Sequence, residues 1–254
     1  MIQSVDRALR IITYVSQKKD GMGVTELASL LDLNKSSIFK LLSTLAAHDF
    51  IEQDQETKKY KLGYKYLELS SMLLESLDLR TQAKPYLKEL ESATNEVIHL
   101  VVYDQGEVVY IEKLEGTETL RTHSRVGKRA SMHCTSVGKV ILAHLPGDEA
   151  AEIIAKKGLE KHTEKTITDP TIFVKELQKI RKQGYGVEME ENEEGITCIA
   201  VPIFDHKGDI TAAVSISGPS TRMTEKRLEE LMPLIKKTGK TISKRLGYQP
   251  NRTS

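Results

Sequence analysis

Between Asn34 and Thr44 the chain sets apolar side chains against small, polar and basic ones at helical spacing, a combination suited to a helix that enters the major groove of DNA. Ile38, Leu41, Leu42 and Leu45 supply the apolar positions, while Lys35, Ser36, Ser37, Lys40, Ser43 and Thr44 face outward. Small hydroxylated residues allow close approach to base edges, and Lys35 and Lys40 reach phosphates or guanine edges. Just beyond, residues 50–53 and 59–62 alternate around Asp54-Gln55-Glu56-Thr57, a hairpin whose returning arm carries Lys58, Lys59 and Lys61. The expected DNA-contacting set is Thr25, Asn34, Lys35, Ser36, Ser37, Lys40, Ser43, Thr44, Lys58, Lys59 and Tyr60. A helical module used only for protein contacts would have no need of a basic hairpin beside a Ser/Lys-rich helix.

Other fragments invite enzymatic readings. Ser136-Val137-Gly138-Lys139 matches S-x-x-K and Lys237-Thr238-Gly239 matches K-T-G, two elements of the penicillin-recognising serine enzymes. The S-D-N element is missing, however, and the K-T-G falls in a helical pattern where a strand is required. A hydrolase using Ser136 or Cys198 as nucleophile would need a base within hydrogen-bond reach, for which His133 is the sequence's offer; it is the weaker alternative. A regulator sensing metal or thiol redox state through Cys134 and Cys198 is the other. His123, His133, Cys134, Cys198 and Glu188 carry ligand atoms without the C-x-x-C or H-x-x-x-H spacing of zinc sites, so neither metal nor cofactor is expected. There is no P-loop, dinucleotide fingerprint or H-E-x-x-H helix.

Positioning these groups falls to two kinds of element. Val5, Ala8, Leu9, Ile12 and Val15 form one helical stripe, ended by Asp20-Gly21 and Gly23. Thr25 is placed to cap a short second helix to Leu31, and Asn34 to cap the third. Helix, short helix, turn, helix and hairpin make residues 1–62 a winged helix-turn-helix domain. Helical pattern continues over 64–79 toward Pro85, a residue suited to the first turn of a following helix, so 63–84 is expected as a linker helix and 85–248 as a second domain. There, strands are expected at 97–103, 108–113, near 120–125, at 198–204 and at 210–217, with helices at 136–145, 148–157, 170–183 and 224–246. Mixed strands and helices make this an α+β fold, and 249–254 a frayed tail.

Of the 254 residues 29% are charged and 39% hydrophobic, an ordinary soluble composition, and the longest apolar runs are too short to span a bilayer, so no membrane partner is expected. The N-terminus mixes acid and base unlike a secretory signal, which predicts a cytoplasmic protein with Cys134 and Cys198 as free thiols. With a net charge of +1, attraction to DNA must come from a local basic surface.

Several separated segments, in order, resemble the IclR family of transcription regulators over nearly the whole chain. They are Ser4-Val5-Asp6-Arg7-Ala8-Leu9, Met132-His133, the stretch from Gly184 to Glu191, the stretch from Gly195 to Asp205, and Ser215-Ile216-Ser217-Gly218-Pro219. The resemblance implies a GAF-like mixed α/β effector domain, operator DNA and a small organic or aromatic acid as partners, and a homodimer or dimer of dimers. It also implies a ligand pocket lined by Met132, Ser136, Val137, Glu188, Cys198, Ser215 and Ser217. Glu188 stands where the family usually has aspartate or serine, which implies a pocket shaped for a different ligand. The residues accord with this: Ser136 and Val137 open a helix whose free N–H groups favour a carboxylate, and Ser215 and Ser217 alternate onto one strand face. Serines that merely satisfy backbone groups and a Cys198 that acts as a small buried hydrophobe are an equal alternative. The expected function is a ligand-responsive, DNA-binding regulator of transcription, repressor or activator, and not an enzyme.

Overall fold

The computed structural model describes residues 2–76, 78–116 and 124–249, without the side chains of residues 73–78. It divides into two compact units, Met1–Leu77 and Asp78–Ser254.

The first unit contains α1 (Gln3–Ser16), α2 (Val24–Leu31), α3 (Lys35–Ala47), β1 (Ile51–Gln53), β2 (Tyr60–Leu62) and α4 (Lys65–Ser76). α1 turns Ile11 and Val15 into a core shared with Leu27, Ile38, Leu42 and Ile51; of the stripe expected on it, Ala8 and Ile12 pack partly against this core, while Val5 and Leu9 are exposed. Asn34 caps α3 as its residue type predicts, its Oδ1 accepting the Ser37 N–H at 2.8 Å. Thr25 does not cap α2. The cap position belongs to Gly23, without a side-chain bond, because the reciprocal backbone bonds between Met22 and Tyr60, both 2.9 Å, hold the chain extended up to that point and the helix starts at Val24. β1 and β2 form the expected antiparallel wing, with Ile51 opposite Leu62. Its turn is closed by Asp54, whose carboxylate accepts from Lys61 at 2.8 Å and from the Thr57 N–H at 2.9 Å; these bonds hold it well below the usual carboxylate range.

The second unit contains α5 (Asp78–Thr94), β3 (Val97–Asp104), β4 (Glu107–Leu114), β5 (Arg129–Ser131), α6 (Ser136–His144), α7 (Gly147–Lys157), α8 (Pro170–Gln183), β6 (Gly186–Met189), β7 (Ile196–Phe204), β8 (Ile210–Pro219) and α9 (Glu225–Arg245). The strands form one antiparallel sheet in the order β5-β4-β3-β8-β7-β6. Alternation along β7 decides which helix each side chain meets. Ala200 joins the core with Val137, Ile141 and Ile180 of α6 and α8, and its neighbour Val201 lies against Gly239 of α9 on the other face. The α+β class is thus as expected. Among the described residues no helix is long and apolar enough to cross a membrane.

Two further expectations are corrected, and one element was not expected. Pro85 lies inside α5, not in a first turn. The helix starts well before it and carries on because Ala83, Leu87 and Leu90 bury one face, offsetting the bond that a proline without N–H cannot make. The strand expected near 120–125 falls mostly on 117–123, outside the described residues; Ser124 and Arg125 are not in a strand, and the strand beside β4 is β5. The short edge strand β6 was not anticipated.

Gly138 sets how closely the segment before α6 can lie on it. A Cβ there would stand 2.3 Å from Met132 Cα and 2.4 Å from the Met132 carbonyl oxygen. Thr135 fixes the same turn, donating to the Ser131 carbonyl at 2.8 Å and accepting the Gly138 N–H at 3.2 Å. Gly138→Ala is expected to cost about 2–3 kcal/mol or more through overpacking. Urea denaturation should show a lower midpoint at unchanged slope, and an unchanged midpoint would mean that the segment gives way freely.

Candidate functional site

The first unit offers a polar surface built on α3. Lys35, Ser36, Lys40, Ser43 and Thr44 are exposed and Ser37 is half-buried. Asn34 and Ser36 are tied together at the cap, with Ser36 donating to Asn34 Oδ1 at 2.8 Å, and Thr44 donates back to the Lys40 carbonyl at 3.0 Å. Lys58 and Lys59 are exposed on the wing, and Thr25 is exposed in the first turn of α2. Tyr60 is a correction: it is buried in the core of this unit, because a strand that turns Lys61 toward Asp54 turns its neighbour inward beside Ile51. Phe39, 48% exposed on α3, belongs to this surface, and the sequence reading missed it.

The second unit holds a polar chamber on the α6 side of the sheet. Strand register assembles it: His99 on β3 lies opposite Ser215 on β8, while Ser217 lies opposite Cys198 on β7, which lies opposite Glu188 on β6. Ser136 and Val137 close it from the start of α6. Ser136, Val137, Glu188, Cys198, Ser215 and Ser217 therefore surround one inner cavity of about 30 Å³, which shares His99, Tyr110, Asn192, Glu193, Ile196, Cys198 and Ser217 with an outer cavity of about 360 Å³ reaching Lys128 and His162. Met132 does not join them: it is buried and lines a separate cavity with Leu142 and Ile153. His99, Tyr110 and Asn192 were missed by sequence reasoning; the one local signal was a histidine inside the apolar run of β3.

Three titratable groups of the chamber, Glu188, His99 and Cys198, are shifted toward their uncharged forms, and the carboxylate of Glu193 also lines it. Burial pushes Glu188 up to about 7, although its Oε1 accepts the N–H groups of Glu191 and Asn192. Burial pulls His99 down to about 3, so its ring is neutral. Nε2 lies 2.7 Å from Ser124 Oγ, Nδ1 lies 3.3 Å from Ser217 Oγ and 3.4 Å from Ser215 Oγ, and Tyr110 meets the ring edge-on at 5.0 Å. Burial, then the neighbouring Glu188, drives the Cys198 thiol upward. Beneath the chamber Lys139 of α6 is fully buried, its Nζ 2.5 Å from Glu191 Oε1.

Nucleophile and metal readings meet specific geometry. A thiol pushed upward at Cys198 is the opposite of an activated nucleophile, and His133 is turned away, Nε2 on the Glu160 carbonyl at 2.8 Å. Lys237-Thr238-Gly239 lies within α9. His133, Cys134 and His162 bring ligand atoms within 4.8 Å of one another, a grouping that includes neither Cys198 nor Glu188, and His123 lies outside the described residues. The Cys134 thiol, pushed up to about 12 by burial and then by Glu188, donates to Asn192 Oδ1 at 3.4 Å.

Two family models match the chain: the IclR helix-turn-helix domain over residues 4–55, and the bacterial transcriptional regulator IclR C-terminal over residues 71–244. The chain is similar to the HTH-type transcriptional regulator KdgR of Escherichia coli K12, with 36% identity covering 97% of this chain and 94% of that protein. It is similar to XynR of the same organism, with 35% identity covering 98% of each. The crystal structure of the Thermotoga maritima IclR matches it with a TM-score of 0.81 and 36% identity, covering 98% of this chain and all of that one.

The environment of Glu188 predicts a pH signature. Its raised value means that between about 4.5 and about 7 the folded chain holds a proton that the unfolded chain has released, so this group's contribution to stability falls as pH rises through that window. His99 acts in the opposite sense, its contribution being lost as pH falls below 6.5. Glu188→Gln isolates the first effect. Relative to wild type the variant should gain stability from pH 5 to pH 8, by up to about 3 kcal/mol. Parallel melting curves for the two proteins across that range would contradict the assignment.

Proposed function

Because the chain belongs to the IclR family of bacterial transcriptional regulators, we propose that the chamber of the second unit receives a small organic acid and that α3 with the wing reads an operator. The protein is a ligand-responsive, DNA-binding regulator of transcription. The acid reading rests on one convergence: the leading residues of α6, Ser136 and Val137, the hydroxyls of Ser215 and Ser217, and neutral His99 all border the small inner cavity, where a carboxylate group would sit, while the outer cavity that shares His99 and Ser217 has room for the rest of the acid. Glu188, protonated through part of the neutral range, adds a donor where an ionised carboxylate would repel the ligand. The role requires no catalysis, and the protein acts in the cytoplasm, where the operator is.

On the DNA side Lys35, Ser36, Ser37, Lys40, Ser43 and Thr44 meet base edges and phosphates, Thr25 and Asn34 lie at the helix starts nearest the backbone, and Lys58 and Lys59 reach the flanking strand. Two heads on a pseudo-palindrome double a readout that one helix limits to a few base pairs, so the working form is a homodimer or a dimer of dimers. The large apolar residues left exposed in the first unit, Ile2, Val5 and Leu9 at α1 and Tyr64, Leu67 and Met72 at α4, support a second copy as their cover.

Lys40→Ala, and Lys58→Ala together with Lys59→Ala, should weaken operator binding and flatten its salt dependence, each lost phosphate contact lowering the log–log slope by about 0.9. Fluorescence anisotropy with labelled operator across a salt series reads the slope, and an unchanged slope in both variants overturns this face.

A thermal-shift panel of small carboxylates should yield a ligand that stabilises by about 2.7 kcal/mol at a hundred times its dissociation constant. Ser215→Ala with Ser217→Ala should abolish that shift and the ligand's effect on operator affinity, leaving ligand-free affinity near wild type. A double variant responding at the same ligand concentration places the acid elsewhere.

A further inference from the structure

β6 stops pairing at Gly186 opposite Ala200, so β7 runs on from Val201 to Phe204 with no strand on that side. This open edge does not invite another strand. Pro202 has no N–H to give, and the Phe204 N–H is already taken by Ser243 Oγ at 3.0 Å. What remains is a groove of about 890 Å³ between α9 and the end of β7, within the size range of small-molecule sites.

Its two sides differ in character. The floor is apolar, formed by Val201, Pro202 and Phe204 with Tyr248, whose ring lies 5.1 Å from that of Phe204. The wall is cationic: Lys236, Lys240 and Lys244 stand on successive turns of α9, spanning about 12 Å. Lys236 is committed, donating to the Gln183 carbonyl at 2.9 Å with its ammonium 4.6 Å from the Tyr185 ring centroid. Lys240 and Lys244 are exposed, and among the described residues neither has a carboxylate partner. Among the described residues no acidic side chain lines the groove. Asp205, next in sequence to Phe204, turns its Oδ1 into its own hairpin, accepting from the Lys207 and Asp209 N–H groups. Lys244 and Arg245 fall in the last turn of α9, where basic residues offset the helix dipole, but that account does not reach Lys240 a turn earlier.

We infer that this groove is a second ligand site, for an organic anion with a flat apolar body such as an aryl carboxylate or sulfonate. The apolar body lies over Phe204 and Tyr248, and the anionic group sits between the Lys240 and Lys244 ammonium groups. The site is separate from the acid chamber: β7 gives Cys198 to the chamber and Val201 to Phe204 to the groove, and Phe204 is six residues on, about 20 Å along the strand.

8-Anilinonaphthalene-1-sulfonate, an apolar aromatic monoanion, is a direct probe. Titrated against the folded full-length chain, its fluorescence should rise with a saturable component that weakens with salt. Lys240→Glu with Lys244→Glu, two exposed positions at which charge reversal leaves the core untouched, should weaken that component at least tenfold. Ser215→Ala with Ser217→Ala should leave it unchanged. Equal dye affinity in wild type and the lysine variant overturns the site, and so does loss of the component in the serine variant, which would put the dye in the chamber.

Discussion

The ion pair between Lys139 and Glu191 is the constraint on which the rest of the second unit depends. An ammonium with no solvent access must be met by a carboxylate, and a pair with one partner removed typically costs about 3–5 kcal/mol. This pair joins segments far apart in sequence, the first turns of α6 and the loop after β6. The backbone of Glu191 extends the connection: its N–H goes to Glu188 and its carbonyl accepts Thr166 Oγ1 at 2.6 Å, while Thr163 donates to the neighbouring Glu190 carbonyl at 2.6 Å. Three chain segments around the chamber are thereby fixed to one buried contact. Burial pushes Glu191 above the usual carboxylate range against the pull of the Lys139 ammonium, so the pair depends on its geometry being held.

That scaffold surrounds a space in which two buried groups are shifted toward their uncharged forms. The acid at Glu188 is raised and the imidazole at His99 is depressed, so near neutrality both approach their uncharged forms for the same reason, removal from water. A ligand bearing a carboxylate would meet the fixed dipoles of the α6 amides and the hydroxyls, with Glu193 of the same lining opposed to it and Lys128 and Arg129 at the outer cavity drawing it in. The paired charges lie one layer out, at Lys139 and Glu191, where they hold shape.

Much of this was legible because it is local. The helix α1, the Asn34 cap and the hairpin turns follow from spacings of a few residues, and Ser215 and Ser217 share a strand face by parity alone, but the stripe expected on α1 meets its buried face only in part: Ile11 and Val15 are buried while Val5 and Leu9 are exposed. What escaped is what depends on partners far along the chain. His99 meets Ser215 across 116 positions, and nothing near His99 announces that it faces hydroxyls instead of core. Tyr60 was read as part of a basic arm because a three-residue strand has too little alternation to fix its own phase; Ile51 and Met22 fix it. Thr25 has the residue type of a cap, yet the bridge to Tyr60 sets where α2 starts. Met132 was grouped with the chamber by family resemblance, and the tight turn at Gly138 directs it to another cavity.

The bridge between Met22 and Tyr60 bears on how the head searches DNA. Two backbone hydrogen bonds fasten the wing to the chain entering α2, so hairpin and helices arrive at the duplex as one rigid piece with their spacing already set. A wing fastened in this way would spend little ordering entropy on contact. The same fastening would remove slack: were α3 of the proposed DNA face to sit badly on a wrong sequence, the wing could not shift independently to reach phosphates, and a poor fit in the groove would also be a poor fit on the flanking backbone. Such a head sacrifices tolerance of imperfect sites for a sharper difference between right and wrong ones.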